Sequence, residues 1–160
     1  MIAATIAAHD PTIRAIALIS AANMASGRLS SFKPDEPTNV PTLAAHLDAM
    51  GIYPLAGCTA QSLATELLAN TARWDFTNFA PQLNRRPILI ITSDDKLAPA
   101  SDLLAANLRS LHDPSVNTLH LATDHVYSGA RIALQAAVIH WLNTLPFAPN
   151  PRPAESVLHD

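Results

Sequence analysis

The chain has 160 residues, a formal net charge of -3, 49% hydrophobic residues and 14% charged residues. This length fits one domain, and so much apolar side chain with so little charge excludes disorder by composition. Its 10 Lys and Arg against 13 Asp and Glu form no basic run, which argues against nucleic acid as a partner.

Spacing of apolar residues predicts alternating helices and strands. The predicted helices cover Ile2 to Ala8, Pro41 to Met50, Ala60 to Arg73, Ser101 to Leu111 and Arg131 to Leu145. Apolar runs of strand length predict strands at Arg14 to Ser20 and Pro87 to Thr92. A third, short strand is predicted at Asn117 to Ala122. Ser101 is the predicted N-cap of its helix. The alternation predicts an α/β fold of about three parallel strands with flanking helices.

Other segments are predicted to be loops, and no targeting or membrane-spanning signal is recognised in the sequence. The polar, proline-bearing stretch from Ala25 to Thr42 predicts a loop, and the proline-rich residues 147–160 predict an irregular tail. No window approaches the roughly 20 apolar residues of a membrane span, so no membrane partner is expected. Met1 to Asp10 has no basic leader, which leaves the cytoplasm as the default location and the compartment open. Cys58 is the single cysteine and predicts no internal disulfide.

Titratable residues follow two of the predicted strands. Asp94 and Asp95 come after the strand that ends at Thr92, and Asp124 and His125 come after the next one. Loops past the carboxyl ends of parallel strands are where functional residues of such sheets lie. A carboxylate that accepts a hydrogen bond from His Nδ1–H fixes the tautomer of the ring and increases its basicity. The two loops therefore predict two members of a nucleophilic triad.

These two loops resemble those of the α/β-hydrolases. The stretch Arg86-Pro-Ile-Leu-Ile-Ile-Thr-Ser-Asp-Asp-Lys-Leu-Ala-Pro99 is similar to the family's acid strand, in which proline follows the catalytic Asp by four residues. Thr123-Asp-His-Val-Tyr-Ser128 and the helix after it resemble the family's histidine loop and final helix, although Gly129-Ala130 departs from the usual Asp-His. The resemblance implies that Asp95 is the catalytic acid and His125 the catalytic base.

The resemblance extends, less closely, to Met1 to Met24. In the family the nucleophilic serine lies in a G-x-S-x-G turn that opens a buried helix. Ile2 to Ala8 resembles the remainder of that helix and has no N-cap, so we expect the nucleophile to lie upstream of Met1. This sequence would then be truncated and inactive alone. Cys58, Ser26, Ser62 and Ser128 lack the strand–turn–helix setting of a substitute nucleophile.

The family match also implies a domain organisation. Residues 1–146 would form the C-terminal part of one α/β-hydrolase domain. Ala25 to Leu83 would be its helical lid, with Gly51 to Cys58 and Trp74 to Phe79 shaping the substrate entrance. The activity implied is serine-type hydrolysis of a small-molecule ester or amide, as in esterases and peptidases, with no cofactor and no metal.

Several alternatives remain open. Asp94 is the nearest rival for the acid, whereas Asp124 is expected to shape its loop or to pair with Arg131. Asp94, Asp95, Asp124 and His125 together would suit a metal-dependent hydrolase. The chain would otherwise be an inactive binding or regulatory module that self-associates through an exposed sheet edge. The remaining candidates His46, His112, His120 and His140 are expected to be core or surface packing residues.

Overall fold

Three short strands form a parallel sheet in a computed structural model that describes residues 2–25, 39–51 and 56–146. The strands are β1 (Ile16–Ile19), β2 (Ile88–Thr92) and β3 (Val116–His120), in the order β1-β2-β3. Ile88 pairs with Ile16 on one side and with Val116 on the other. All five residues of β2 are buried, as expected of a continuous apolar run between two covered faces. The predicted parallel α/β architecture is confirmed.

Helices lie on both faces of the sheet. They are α1 (Ile2–His9), α2 (Asn39–Ala49), α3 (Ala60–Asn70), α4 (Ala80–Leu83, continuing a 3-10 turn at Phe76–Phe79), α5 (Ala98–Ser110) and α6 (Arg131–Thr144). The predicted N-cap role of Ser101 is wrong, because α5 begins at Ala98 and Ser101 is buried inside it. Pro99 sits in the first turn of α5, where its fixed φ favours helix initiation and its missing N–H costs nothing.

Two cores flank the sheet, because successive side chains of a strand point to opposite faces. Ile88 and Ile90 of β2 pack on one face with α1, α4 and α5. The buried members of this core are Ala4, Ala7, Ile16, Leu18, Phe76, Ala80, Leu83, Ile88, Ile90, Ala100, Leu104, Ala105 and Leu108. Leu89 and Ile91 point to the other face, where they pack with Tyr127, Trp141 and Leu145. This second core attaches α6 and the loop before it to the sheet.

The helices α2 and α3, which lie between β1 and β2 in the sequence, form a small core of their own. Its buried residues are Leu43, Ala44, Ala60, Ala64, Leu67 and Leu68. Thr59 caps α3 by accepting a hydrogen bond from the Ser62 amide at 3.0 Å. Phe76, in the segment predicted to shape the substrate entrance, instead lies fully buried in the core that contains Ile88 and Ile90.

None of the helices in the described ranges has the length and hydrophobicity that spanning a membrane requires. The predicted tail at 147–160 and most of the predicted loop from Ala25 to Thr42 lie outside those ranges.

Candidate active site

The loops after β2 and β3 bring Asp95 and His125 together. The Nδ1 atom of His125 lies 2.8 Å from Oδ2 of Asp95. Backbone hydrogen bonds continue the sheet beyond its strands, from the Leu121 amide to Thr92 O at 3.0 Å and from the Asp94 amide to Thr123 O at 2.9 Å. The two loops consequently leave the sheet side by side, at the edge where parallel strands present functional residues. The roles of Asp95 and His125 in catalysis stay a prediction.

Asp95 is a buried, multiply bonded carboxylate. Its side chain is only 5% exposed, and Oδ1 accepts a hydrogen bond from the Leu97 amide at 2.9 Å. Burial on its own raises the pKa of Asp95. Hydrogen bonds from His125, the Leu97 amide, Ser20 and Ser93 outweigh burial and lower that pKa from 3.8 to about 2. Asp95 is therefore an anion at neutral pH, although it lies away from solvent.

His125 is the exposed partner of this pair, with 60% of its side chain accessible. An ionised carboxylate can only accept hydrogen bonds, so the proton between the two groups belongs to Nδ1 of His125. In the neutral ring Nε2 then carries a lone pair. None of the hydrogen bonds formed within the described ranges uses this atom. The site thus presents an oriented imidazole that can take up a proton at Nε2.

Three buried hydroxyl groups form a cluster where the three strands end. Ser20 Oγ lies 2.9 Å from Ser93 Oγ and 2.8 Å from the Tyr127 hydroxyl oxygen. Ser20 follows β1, Ser93 follows β2 and Tyr127 belongs to the loop after β3, so each strand end supplies one hydroxyl. Ser20 and Tyr127 have left-handed backbones, with φ of 41° and 56°. Sequence reasoning missed this group, because glycine is the usual signal for such a backbone.

The neighbouring Asp94 pairs with a different histidine. Its Oδ1 lies 3.2 Å from Nε2 of His120, whose Nδ1 lies 3.0 Å from Thr92 Oγ1. The side chains of Asp94 and His120 are 63% and 51% exposed, so this is a solvated surface pair. His120, expected to be a packing residue, ends β3 as an exposed partner of a carboxylate. Asp94, the rival for the acid, forms no hydrogen bond with His125 in the part of the chain that the structure describes.

Asp124 shapes the loop that carries His125. Its Oδ1 accepts a hydrogen bond from the Ser128 amide at 2.9 Å. This backbone bond, together with the Ser128 hydroxyl and the nearby Arg131 cation, lowers the pKa of Asp124. Across residues 2–25, 39–51 and 56–146, no three His, Cys, Asp or Glu side chains are grouped so that they could hold a metal ion. The four residues of the metal alternative are instead divided among two pairs and a loop turn.

No hydroxyl or thiol in the described ranges forms a hydrogen bond with Nε2 of His125, whose ring is bonded through Nδ1 to Asp95. Ser62 belongs to the cap of α3, and the Ser128 amide is bonded to Asp124. Cys58 is exposed and distant in sequence from the three strand ends, and Ser26 lies outside the described residues. Ser20 and Ser93 are buried, and their hydroxyl groups are within hydrogen-bond distance of each other.

No family model, no curated protein and no solved structure matches this chain.

Proposed function

We propose that this chain belongs to a serine hydrolase of the α/β-hydrolase type and supplies its base and acid. One observation carries the proposal: an exposed His125 is hydrogen-bonded through Nδ1 to a buried, ionised Asp95 where adjacent parallel strands end. That is the arrangement that orients a general base in a nucleophilic triad. In this proposal the nucleophile is a serine of the G-x-S-x-G turn that the sequence resemblance implies.

Each residue then has a defined task. Nε2 of His125 takes the proton of the serine hydroxyl as its oxygen attacks the carbonyl carbon of an ester or amide. The same nitrogen delivers that proton to the leaving group, and the acyl-serine is hydrolysed by water in the reverse sequence of proton transfers. Asp95 stabilises the imidazolium that forms in each half-reaction. The pair formed by α2 and α3, which has a core of its own between β1 and β2, is the proposed lid over the substrate.

The first experiment is to sequence the source DNA upstream of the Met1 codon. We expect an open reading frame with an apolar strand-like run followed by G-x-S-x-G. The longer protein should be labelled at that serine by a fluorophosphonate probe and should hydrolyse p-nitrophenyl esters. His125→Gln should lower kcat by at least about 100-fold, the lower end of what a general base contributes.

His120→Gln is the matched control, because His120 also pairs with an aspartate, the Asp94 that precedes Asp95, but plays no part in the proposed reaction. Its kcat should stay within about twofold of the parent, since solvated surface pairs contribute little. A stop codon upstream of Met1, or serine labelling that is indifferent to His125, would contradict the proposal.

A second candidate is a binding module that self-associates through β1, and the sheet edge favours it. The amides of Ile16 and Ser20 bond to Pro87 O and Ile91 O, so the backbone groups of Ala17 and Ile19 face away from β2. No described strand covers them. Ile19 is 39% exposed and β1 contains no charge to discourage pairing. Sedimentation equilibrium should show a dimer that Ile19→Lys dissociates; a parent chain that is monomeric at every concentration would exclude this candidate.

A further inference from the structure

We infer that Ser20, Ser93 and Tyr127 form a hydroxyl cluster that holds the Asp95 carboxylate in place for His125, with Ser20 as the positioning residue. The inference rests on the proposed function, and it adds a layer that lies behind the acid and base. None of the three residues needs to touch a substrate. Their effect on the reaction would pass through Asp95.

The geometry makes Ser20 the centre of the hydroxyl cluster. Its Oγ is within hydrogen-bond distance of both other members, at 2.9 Å from Ser93 and 2.8 Å from Tyr127. Ser20, Ser93 and Tyr127 are 7%, 1% and 3% exposed, so water is not at hand to complete their hydrogen bonding. The Tyr127 hydroxyl also reaches Ile91 O, but only at 3.5 Å, which leaves Ser20 as its closer partner.

Proton counting in the hydroxyl cluster favours an ionised Asp95. Each of the three hydroxyls has one proton to donate, and a buried donor without an acceptor is destabilising. If Tyr127 donates to Ser20, the proton of Ser20 is directed to Ser93 or to the carboxylate. Donation from Ser20 and Ser93 is part of what keeps the pKa of Asp95 low in spite of its burial. A protonated Asp95 would lose acceptor capacity just where the cluster needs it.

The backbone of Ser20 supports a role beyond packing. Its φ of 41° lies in the left-handed region that is disfavoured for residues with a Cβ. Glycine would adopt this backbone without strain, so stability of the turn alone does not favour serine. Lys96 and Tyr127, in the other two loops of the site, are left-handed as well. Strained residues gather at functional sites, where surrounding contacts hold them.

The test is a carboxyl-carbon NMR titration of Asp95 in the full 160-residue chain. Ser20→Gly removes the hydroxyl and relieves the backbone strain, so loss of folding does not obscure the result. The pKa of Asp95 should rise from about 2 toward its ordinary 3.8 in this variant and, by a smaller amount, in Tyr127→Phe. Ser101→Ala, which removes a buried serine hydroxyl in α5 outside the hydroxyl cluster, should leave it unchanged. An Asp95 that still titrates at about 2 in Ser20→Gly would overturn the inference.

A kinetic measurement separates the failure of this inference from failure of the proposed function. In the longer, active protein, Ser20→Gly should lower kcat at least about tenfold with KM unchanged, because a displaced Asp95 misorients the base and not the substrate. If the pKa of Asp95 rises but kcat does not fall, the hydroxyl cluster is structural only. If no active form exists, the NMR result still stands and only the catalytic consequence is lost.

Discussion

Replacing Asp95 with asparagine should make the free energy of unfolding of this protein less dependent on pH in the acid range. Burial opposes ionisation, but the hydrogen bonds from His125 and the Leu97 amide hold the pKa of Asp95 to about 2, against 3.8 ordinarily. A group whose pKa is lowered by folding contributes stability above its unfolded pKa and loses it as pH falls through the folded pKa. At about 1.4 kcal/mol per pH unit, the difference corresponds to about 2 kcal/mol at neutral pH.

Urea unfolding at a series of pH values measures this contribution. At pH 7 the free energy of unfolding of Asp95→Asn should be about 2 kcal/mol below that of the parent, and most of the gap should close between about pH 4 and pH 2. Asp94→Asn is the control: it removes the adjacent carboxylate, which is 63% exposed, and should cost less than about 1 kcal/mol. A gap of the same size at every pH, or none at pH 7, would refute the reasoning.

Two further predictions concern the scaffold. Leu104→Ala should lower the free energy of unfolding by about 2–5 kcal/mol, because Leu104 is fully buried in the core that contains Ile88 and Ile90. Leu103→Ala, at the adjacent position that is 51% exposed, should lower it by about 0.5 kcal/mol or less. Equal losses for the two variants in denaturant titrations would contradict this prediction. Arg86→Met should destabilise by about 2 kcal/mol and speed amide exchange in α1, because the guanidinium donates to Ala7 O in the last turn of that helix and to two carbonyls beyond it. Unaltered exchange in α1 would exclude that role.

The alternation of helices and strands could be predicted from the sequence because β1 and β2 are continuous apolar runs, whereas β3 mixes polar with apolar residues and is largely exposed. The apolar run predicts a strand from Pro87 to Thr92, and the structure has one at Ile88–Thr92. Parallel strands end at the same edge, so the proximity of Asp95 and His125 also followed from their positions after two strands. Element boundaries are less accurately predicted: Ser101 is a good capping residue, but α5 begins at Ala98, with Pro99 in its first turn.

The finer parts of the site depend on information that the local sequence does not carry. Thr92 and His120 face each other because β2 and β3 pair in one register, and that register decides which histidine Asp94 meets. Ser20 and Tyr127 adopt left-handed backbones without being glycine or asparagine, so no local signal predicts their turns. Their hydroxyls come together through tertiary contacts between loops that are 107 residues apart in sequence.

The strand order has a consequence for how the site assembles during folding. Partners in β2 and β3 are 28 positions apart, as in Ile88 and Val116, whereas partners in β1 and β2 are 72 positions apart, as in Ile16 and Ile88. Contacts between distant positions form late, since a long loop must close first, although doubling that loop adds only about 0.6 kcal/mol. We therefore expect β2, α5 and β3 to fold first and to bring Asp95 to His125. Ser20 would join them later, when β1 pairs with β2. Chain length between β1 and β2 can then vary at little thermodynamic cost while the Asp–His pair stays intact.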